Sequence, residues 1–122
     1  MGTVTADRHG THVAGTVAAV NNNGKGVCGV AGGNGSGNGV RLMSCQILSG
    51  SNSQSTPEAY VYAADMGAVI SQNSWGYTQP EFTEPAIKDA IDYFIEEAGN
   101  PEILSKRPAT RRTIPIVLCG EE

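Results

Sequence analysis

The chain is short of basic residues, has no long apolar run and holds no closely spaced cysteines. Lys and Arg number 8 against 12 Asp and Glu, for a formal net charge of −4. That excludes the basic face on which nucleic-acid-binding proteins hold phosphates, so no DNA or RNA partner is expected. No stretch approaches the roughly 20 apolar residues of a membrane-spanning helix, and no membrane span is expected. The amino terminus lacks the basic-then-apolar pattern of a signal peptide. Cys28, Cys45 and Cys119 are odd in number and widely spaced, without a Cys-x-x-Cys pair. Neither a disulfide framework nor a thiolate zinc site is indicated, and buried thiols are expected. Aromatic residues are scarce, 6% of the chain, whereas there are 16 glycines. The core must therefore be lean, with many turns and tight backbone packing.

What is present is an alternation of apolar runs with helical patterns. The 122 residues fit one small domain or a piece of a larger one. Val13, Ala14, Val17 and Ala18 fall on one face of a helix that follows His9, with Gly15 allowing a neighbouring backbone to approach. The helix should end in "NNNGKG", where Asn and Gly tolerate positive φ. The glycine-rich "GGNGSGNG" lacks the Lys-Ser/Thr ending of a phosphate-binding loop and opens no helix, so it reads as a flexible connection. "VRLMSCQIL", Val40 to Leu48, then reads as a buried strand.

Pro57 suits the first turn of a second helix capped by Ser55 or Thr56, and Gly67 suits its end. "AVISQNS", Ala68 to Ser74, is the next strand, parallel to the first through a right-handed crossover. Ile87, Ala90, Ile91, Phe94 and Ile95 form an apolar stripe on a helix from about Thr83 to Ala98, with Glu84 and Lys88 placed to pair. A second crossover leads into "IPIVLC", Ile114 to Cys119. The expected fold is α/β, with helices covering a parallel sheet.

The stretch "DRHGTHVAGTVAAV", Asp7 to Val20, opens a helix with two histidines three apart. A His-x-x-His pair occurs in metal sites, but no third ligand stands at suitable spacing. The segment "HGTHVAGT" resembles the histidine motif of the subtilisin-like serine proteases, the subtilases. The resemblance implies a three-layer αβα fold with a parallel sheet, here incomplete, and peptide-bond hydrolysis by an Asp/His/Ser triad. It makes His9 the general base and His12 a structural support. An imidazole titrating near neutrality can take the serine hydroxyl proton and return it to the leaving amine. Gly10 and Thr11 leave room for substrate beside it.

Two further segments are similar to subtilases in the family's own order. "VISQNSWG", Val69 to Gly76, resembles the strand lining the specificity pocket, which implies that Ser74, Trp75 and Gly76 bind a peptide or protein substrate. They lie just past the carboxyl end of a parallel strand, where open α/β sheets place ligands. An extended segment there can add a substrate peptide as a further strand. "NNNGKGVCGVAGG", Asn21 to Gly33, is similar to the loop after the histidine helix, which can carry calcium. Asn22 is the nearest candidate ligand, an ordinary turn is the favoured reading, and the chemistry itself requires no cofactor.

The departures bound the activity. The family's aspartate should lie on a strand well before the histidine motif, and Asp7 stands too close to His9 to be that residue. No "GTS" followed by small residues occurs after the specificity strand. In place of the family's oxyanion asparagine the chain reads "IVLCGEE", with Glu121 near that position, where a carboxylate repels the developing oxyanion. The motifs therefore divide the chain into a subtilase catalytic-domain segment, residues 1–98, and a divergent or frame-shifted tail, residues 99–122. That tail holds Lys106, Arg107, Arg111 and Arg112, half of the basic residues. A serine-protease fragment inactive by itself is expected, from a parent that is secreted or in the cell envelope. A non-catalytic peptide-binding or inactive subtilase-like module is the alternative.

Overall fold

Helix formation follows the apolar spacing closely, and the computed structural model describes residues 8–47, 56–78, 80, 84–98, 100 and, as backbone, 115–119. The order is α1 (Arg8–Ala18), β1 (Arg41–Cys45), α2 (Thr56–Asp65), β2 (Ile70–Asn73), α3 (Pro85–Glu97) and β3 (Pro115–Cys119). Leu48, Ser55, Thr83 and Ile114, which the sequence reading included in or beside these elements, lie outside the described residues.

The three strands form one parallel sheet in the order β1-β3-β2. Both outer strands are thus parallel, as expected. They are not neighbours, because β3 lies between them: Leu42 and Ile70 both face Ile116 in register. β1 is shorter than the run Val40 to Leu48, and its burial is partial, with Arg41 and Ser44 exposed and Cys45 buried.

The core sits where α2 meets α3. Ala59, Tyr60, Ala63 and Ala64 of α2 are buried with Ile87, Ala90 and Phe94 of α3. Fully covered Ala63 and Ala64 let the helices approach closely, and the Tyr60 ring meets Phe94 edge-on, with centroids 6.4 Å apart. Pro85 pre-sets the first turn of α3, and Gly67 with φ 75 turns the chain from α2 toward β2. Ile91 packs at the edge of the core, but Ile95 is 67% exposed, so the apolar stripe ends one turn early. Lys88 pairs with Asp92, not Glu84, and the Glu84 carboxylate instead accepts from the Tyr77 hydroxyl at 3.5 Å. Both pairings of Lys88 satisfy i,i+4 spacing, and Asp92 also lies within the helix, whereas Glu84 is its cap.

α1 buries no residue. It is held by backbone: the N–H groups of Gly29, Val30 and Ala31 donate to the carbonyls of Ala19, Thr16 and Val17, each at 2.9 Å. A returning loop thereby satisfies acceptors that a helix end leaves open. The close approach needs glycine at Gly32, where a Cβ would overlap the Ala19 carbonyl, while a Cβ at Gly15 would meet nothing. Cys28, carried on this loop, is exposed; Cys45 is buried as expected, and the Cys119 side chain lies outside the description. Asn22 adopts φ 57, in keeping with the turn chemistry of "NNNGKG".

The glycine-rich segment is closed upon itself and is more than a simple connection. Asn38 Oδ1 accepts from the Asn34 N–H at 2.9 Å, and Asn34 Oδ1 accepts from the Ser36 N–H and hydroxyl. Backbone bonds from Asn21 to Gly33 and from Val40 to Ala31 fix both of its ends.

Candidate active site

The Ser74–Gly76 segment leaves β2 at its carboxyl end, immediately after Asn73. The strand rises from Ile70 to Asn73 in a parallel sheet, so its last residues deliver the chain to the end where α/β sheets present ligand-binding loops. Gln72 Nε2 donates to Ser74 Oγ at 2.9 Å, fixing the hydroxyl. Trp75, half-buried, packs on the core, donates from Nε1 to Asn73 Oδ1 at 3.3 Å and meets the Tyr77 ring edge-on, 5.7 Å between centroids. Gly76 is exposed, and a Cβ there would meet nothing within 4 Å. The result is an open edge with one apolar ring fixed beside it.

Asn73 ties this edge to the core. Its Oδ1 also accepts from the buried Tyr60 hydroxyl at 2.9 Å, and its Nδ2 donates to Ser71 Oγ at 2.9 Å. Tyr60 belongs to α2 and Asn73 to β2, and neither element's pattern points to the other. A carboxamide two residues before a tryptophan has no periodic signature, so this link was not legible beforehand.

His9 stands in the first turn of α1 and is exposed, as is His12 one turn on. Thr16 Oγ1 donates to the His12 carbonyl at 3.1 Å, a local helix contact. α1 packs lightly against β1, whereas Ser74 follows β2, and β3 separates these strands. At about 4.8 Å per strand step, the two strand ends are about 10 Å apart. The structure thus groups Ser74, Trp75 and Gly76 and sets His9 on a different element. Asp7 and Glu121 lie outside the described residues.

The loop after α1 holds one buried oxygen that accepts no hydrogen bond. Asn21 Oδ1 is a buried acceptor with no hydrogen-bond donor, while Asn22 is exposed. Among the described residues no three His, Cys, Asp or Glu side chains cluster to hold a metal. Calcium takes six to eight oxygens and draws affinity from carboxylates, so Asn21 and Asn22 alone would not complete a shell. Among the described residues no helix is long and apolar enough to cross a membrane.

A parallel α/β sheet with a motif-bearing helix and an open loop at a strand's carboxyl end is the framework within which the comparisons fall. The chain belongs to the subtilase family, whose model matches residues 3–114. The match runs past Ala98, where the recognisable motifs end, through most of the basic tail. Fervidolysin of Fervidobacterium pennivorans is 36% identical over 97 residues, covering 72% of this chain and 12% of that protein. The chain therefore spans about an eighth of the length of this curated relative. No solved structure matches it.

Proposed function

We propose that the chain is part of the catalytic domain of a subtilisin-like serine endopeptidase and supplies its general base, His9, and its substrate edge, Ser74 to Gly76. The observation that carries this reading is the open Ser74–Gly76 segment at the carboxyl end of β2, in a chain that belongs to the subtilase family. A peptide laid along this edge exchanges main-chain hydrogen bonds with it, and its side chain lies against Trp75. Gly76 leaves the path open.

In the parent, His9 takes the proton of a serine hydroxyl as that oxygen attacks the substrate carbonyl, then protonates the departing amine. The acyl-enzyme is hydrolysed by water with the same imidazole as base. These steps need no cofactor. The family's triad aspartate and serine have no counterpart at the expected motifs in these residues, so the isolated chain does not hydrolyse peptides. Calcium, held in part by Asn21 and Asn22, would brace the loop behind α1. Residues 1–98 carry the catalytic-domain motifs, residues 99–122 are a divergent stretch of the same domain that leads into the central strand β3, and the parent works outside the cytoplasm.

The test uses two probes on the purified chain. A serine-directed fluorophosphonate should leave it unlabelled, and an acetylated, amidated Ala-Ala-Ala-Phe-Ala peptide should shift the emission of Trp75, the one tryptophan present. Stoichiometric labelling lost on His9→Ala overturns the inactive reading. An unchanged Trp75 emission at millimolar peptide removes the substrate edge. A second reading, a peptide-binding module without catalysis, is favoured by Glu121 near the oxyanion position. Flanking coding sequence that contains neither a strand-borne aspartate nor a serine motif would establish it.

A further inference from the structure

The substrate edge is fixed by a residue that lies just outside it. Three hydrogen bonds converge on the Asn73 carboxamide: Tyr60 hydroxyl to Oδ1 at 2.9 Å, Trp75 Nε1 to Oδ1 at 3.3 Å, and Nδ2 to Ser71 Oγ at 2.9 Å. An indole N–H can only donate, so the atom facing Trp75 has to be the amide oxygen. That oxygen has two acceptor sites, and Tyr60 and Trp75 occupy both. The amide orientation is thereby defined by chemistry, and the remaining nitrogen faces Ser71.

The two ends of this link differ in mobility. Tyr60 is 5% exposed, packed edge-on against Phe94 in the α2–α3 core. Trp75 is half-buried at the start of a segment with no ladder partner among the described residues. Without Asn73 the indole keeps its packing on the core and its contact with Tyr77 but loses the hydrogen bond that fixes its N–H, and a looser apolar ring loses more entropy on every binding event. We propose that Asn73 is a positioning residue: it transmits the rigidity of the α2–α3 core to the Trp75 ring and so sets the affinity of the Ser74–Gly76 edge for an apolar substrate side chain. The inference rests on the reading of that edge as the substrate site. It goes beyond it in assigning Asn73, and through it Tyr60, a role in recognition without contact to substrate.

The experiment separates the positioning claim from the substrate claim. With a single tryptophan in the chain, one indole N–H resonance reports the Trp75 hydrogen bond in the unmodified protein. Its exchange with solvent should be slowed at least several-fold relative to an exposed indole; exchange at the exposed rate overturns the proposal without any variant. Asn73→Leu should then raise acrylamide quenching of Trp75 about twofold and weaken the Ala-Ala-Ala-Phe-Ala peptide about three- to tenfold, the range expected for one lost hydrogen bond. Asn73→Asp keeps the acceptor and should restore both. Tyr60→Phe deletes the other hydrogen bond to the same oxygen and should leave the quenching of Trp75 nearer to the original than Asn73→Leu does. Equal peptide affinity in folded Asn73→Leu overturns the proposal. A protected indole in a chain that binds no peptide retains the anchoring, refutes the role in recognition and removes the substrate edge itself.

Discussion

Tyr93 on α3 donates its phenolic proton to Asp65 Oδ1 at the end of α2, 2.7 Å away, so a polar contact closes the rim of an apolar helix seam. The hydrogen bond to Asp65 holds the Tyr93 phenol above its ordinary pKa, with desolvation and the charges of Asp65 and Glu97 adding to it. A raised folded pKa means that the contact contributes fully below the unfolded value, about pH 10, and is lost as pH rises through the folded value. Tyr93→Phe should lower the thermal midpoint at about pH 8, and the difference should vanish or reverse once the pH passes the raised folded value, where tyrosinate faces a carboxylate. A difference that persists at high pH would show that the variant loses packing, not the hydrogen bond.

Phe94 carries the largest apolar side chain of the α2–α3 seam, 7% exposed against Tyr60. Phe94→Ala should cost about 3–5 kcal/mol, a large share of the stability of a small domain. Denaturant titration should show the midpoint fall sharply or the cooperative transition disappear. Ile95→Ala, one residue along but exposed, should leave the midpoint almost unchanged.

Thiol chemistry reads the strand order. Cys28 is exposed and should react first with an aromatic disulfide reagent, ahead of buried Cys45. Cys45 and Cys119 are register partners on neighbouring strands. A strand spacing of about 4.8 Å lies within the Cα separations of about 4.4–6.8 Å that a disulfide spans. Mild copper-catalysed oxidation should therefore join the tryptic peptides of Cys45 and Cys119. Cross-linking through Cys28 alone would contradict the order β1-β3-β2.

Gly76 offers space that a larger residue can fill without strain on the fold, since a Cβ there meets nothing within 4 Å. Gly76→Val should leave the unfolding midpoint of the chain unchanged. In an assembled parent enzyme it should reduce kcat/KM by at least tenfold by obstructing the peptide path. Undiminished kcat/KM would move the substrate elsewhere.

β1 and β2 each pair on one side only among the described residues, and Ile70 on β2 is 48% exposed. Open edges of this kind recruit further strands. The isolated chain should scatter light in a concentration-dependent way on warming, and Ile70→Lys should suppress this. A reversible, cooperative transition with a high midpoint would instead mark these residues as a self-sufficient domain.

The helices were legible because burial repeats along them: Ile87, Ala90 and Phe94 sit three and four apart, and Pro57 and Gly67 mark the ends of α2 by backbone chemistry. The strands were legible as apolar runs, but periodicity says which residues are covered and nothing about which strand lies beside which, so the central place of β3 was not. Cys28 was expected inside because cysteine is usually buried, yet it rides on the loop that caps α1. At the site, Ser74 to Gly76 stood out as the end of a strand. Their anchoring through Asn73 to Tyr60 depends on a contact between elements, which no local pattern encodes.

The middle position of β3 also dictates an order of events during synthesis. Both ladders among the described residues run through Pro115–Cys119, so β1 and β2 leave the ribosome before the strand that lies between them. The α2–α3 seam, with β2 between its helices in the chain, spans a shorter sequence separation than the β1–β3 ladder and can collapse first, while the sheet waits for distant pairing. For that interval the edges that β1 and β2 will offer β3 stay uncovered, the state in which a chaperone that shields extended segments has most to offer.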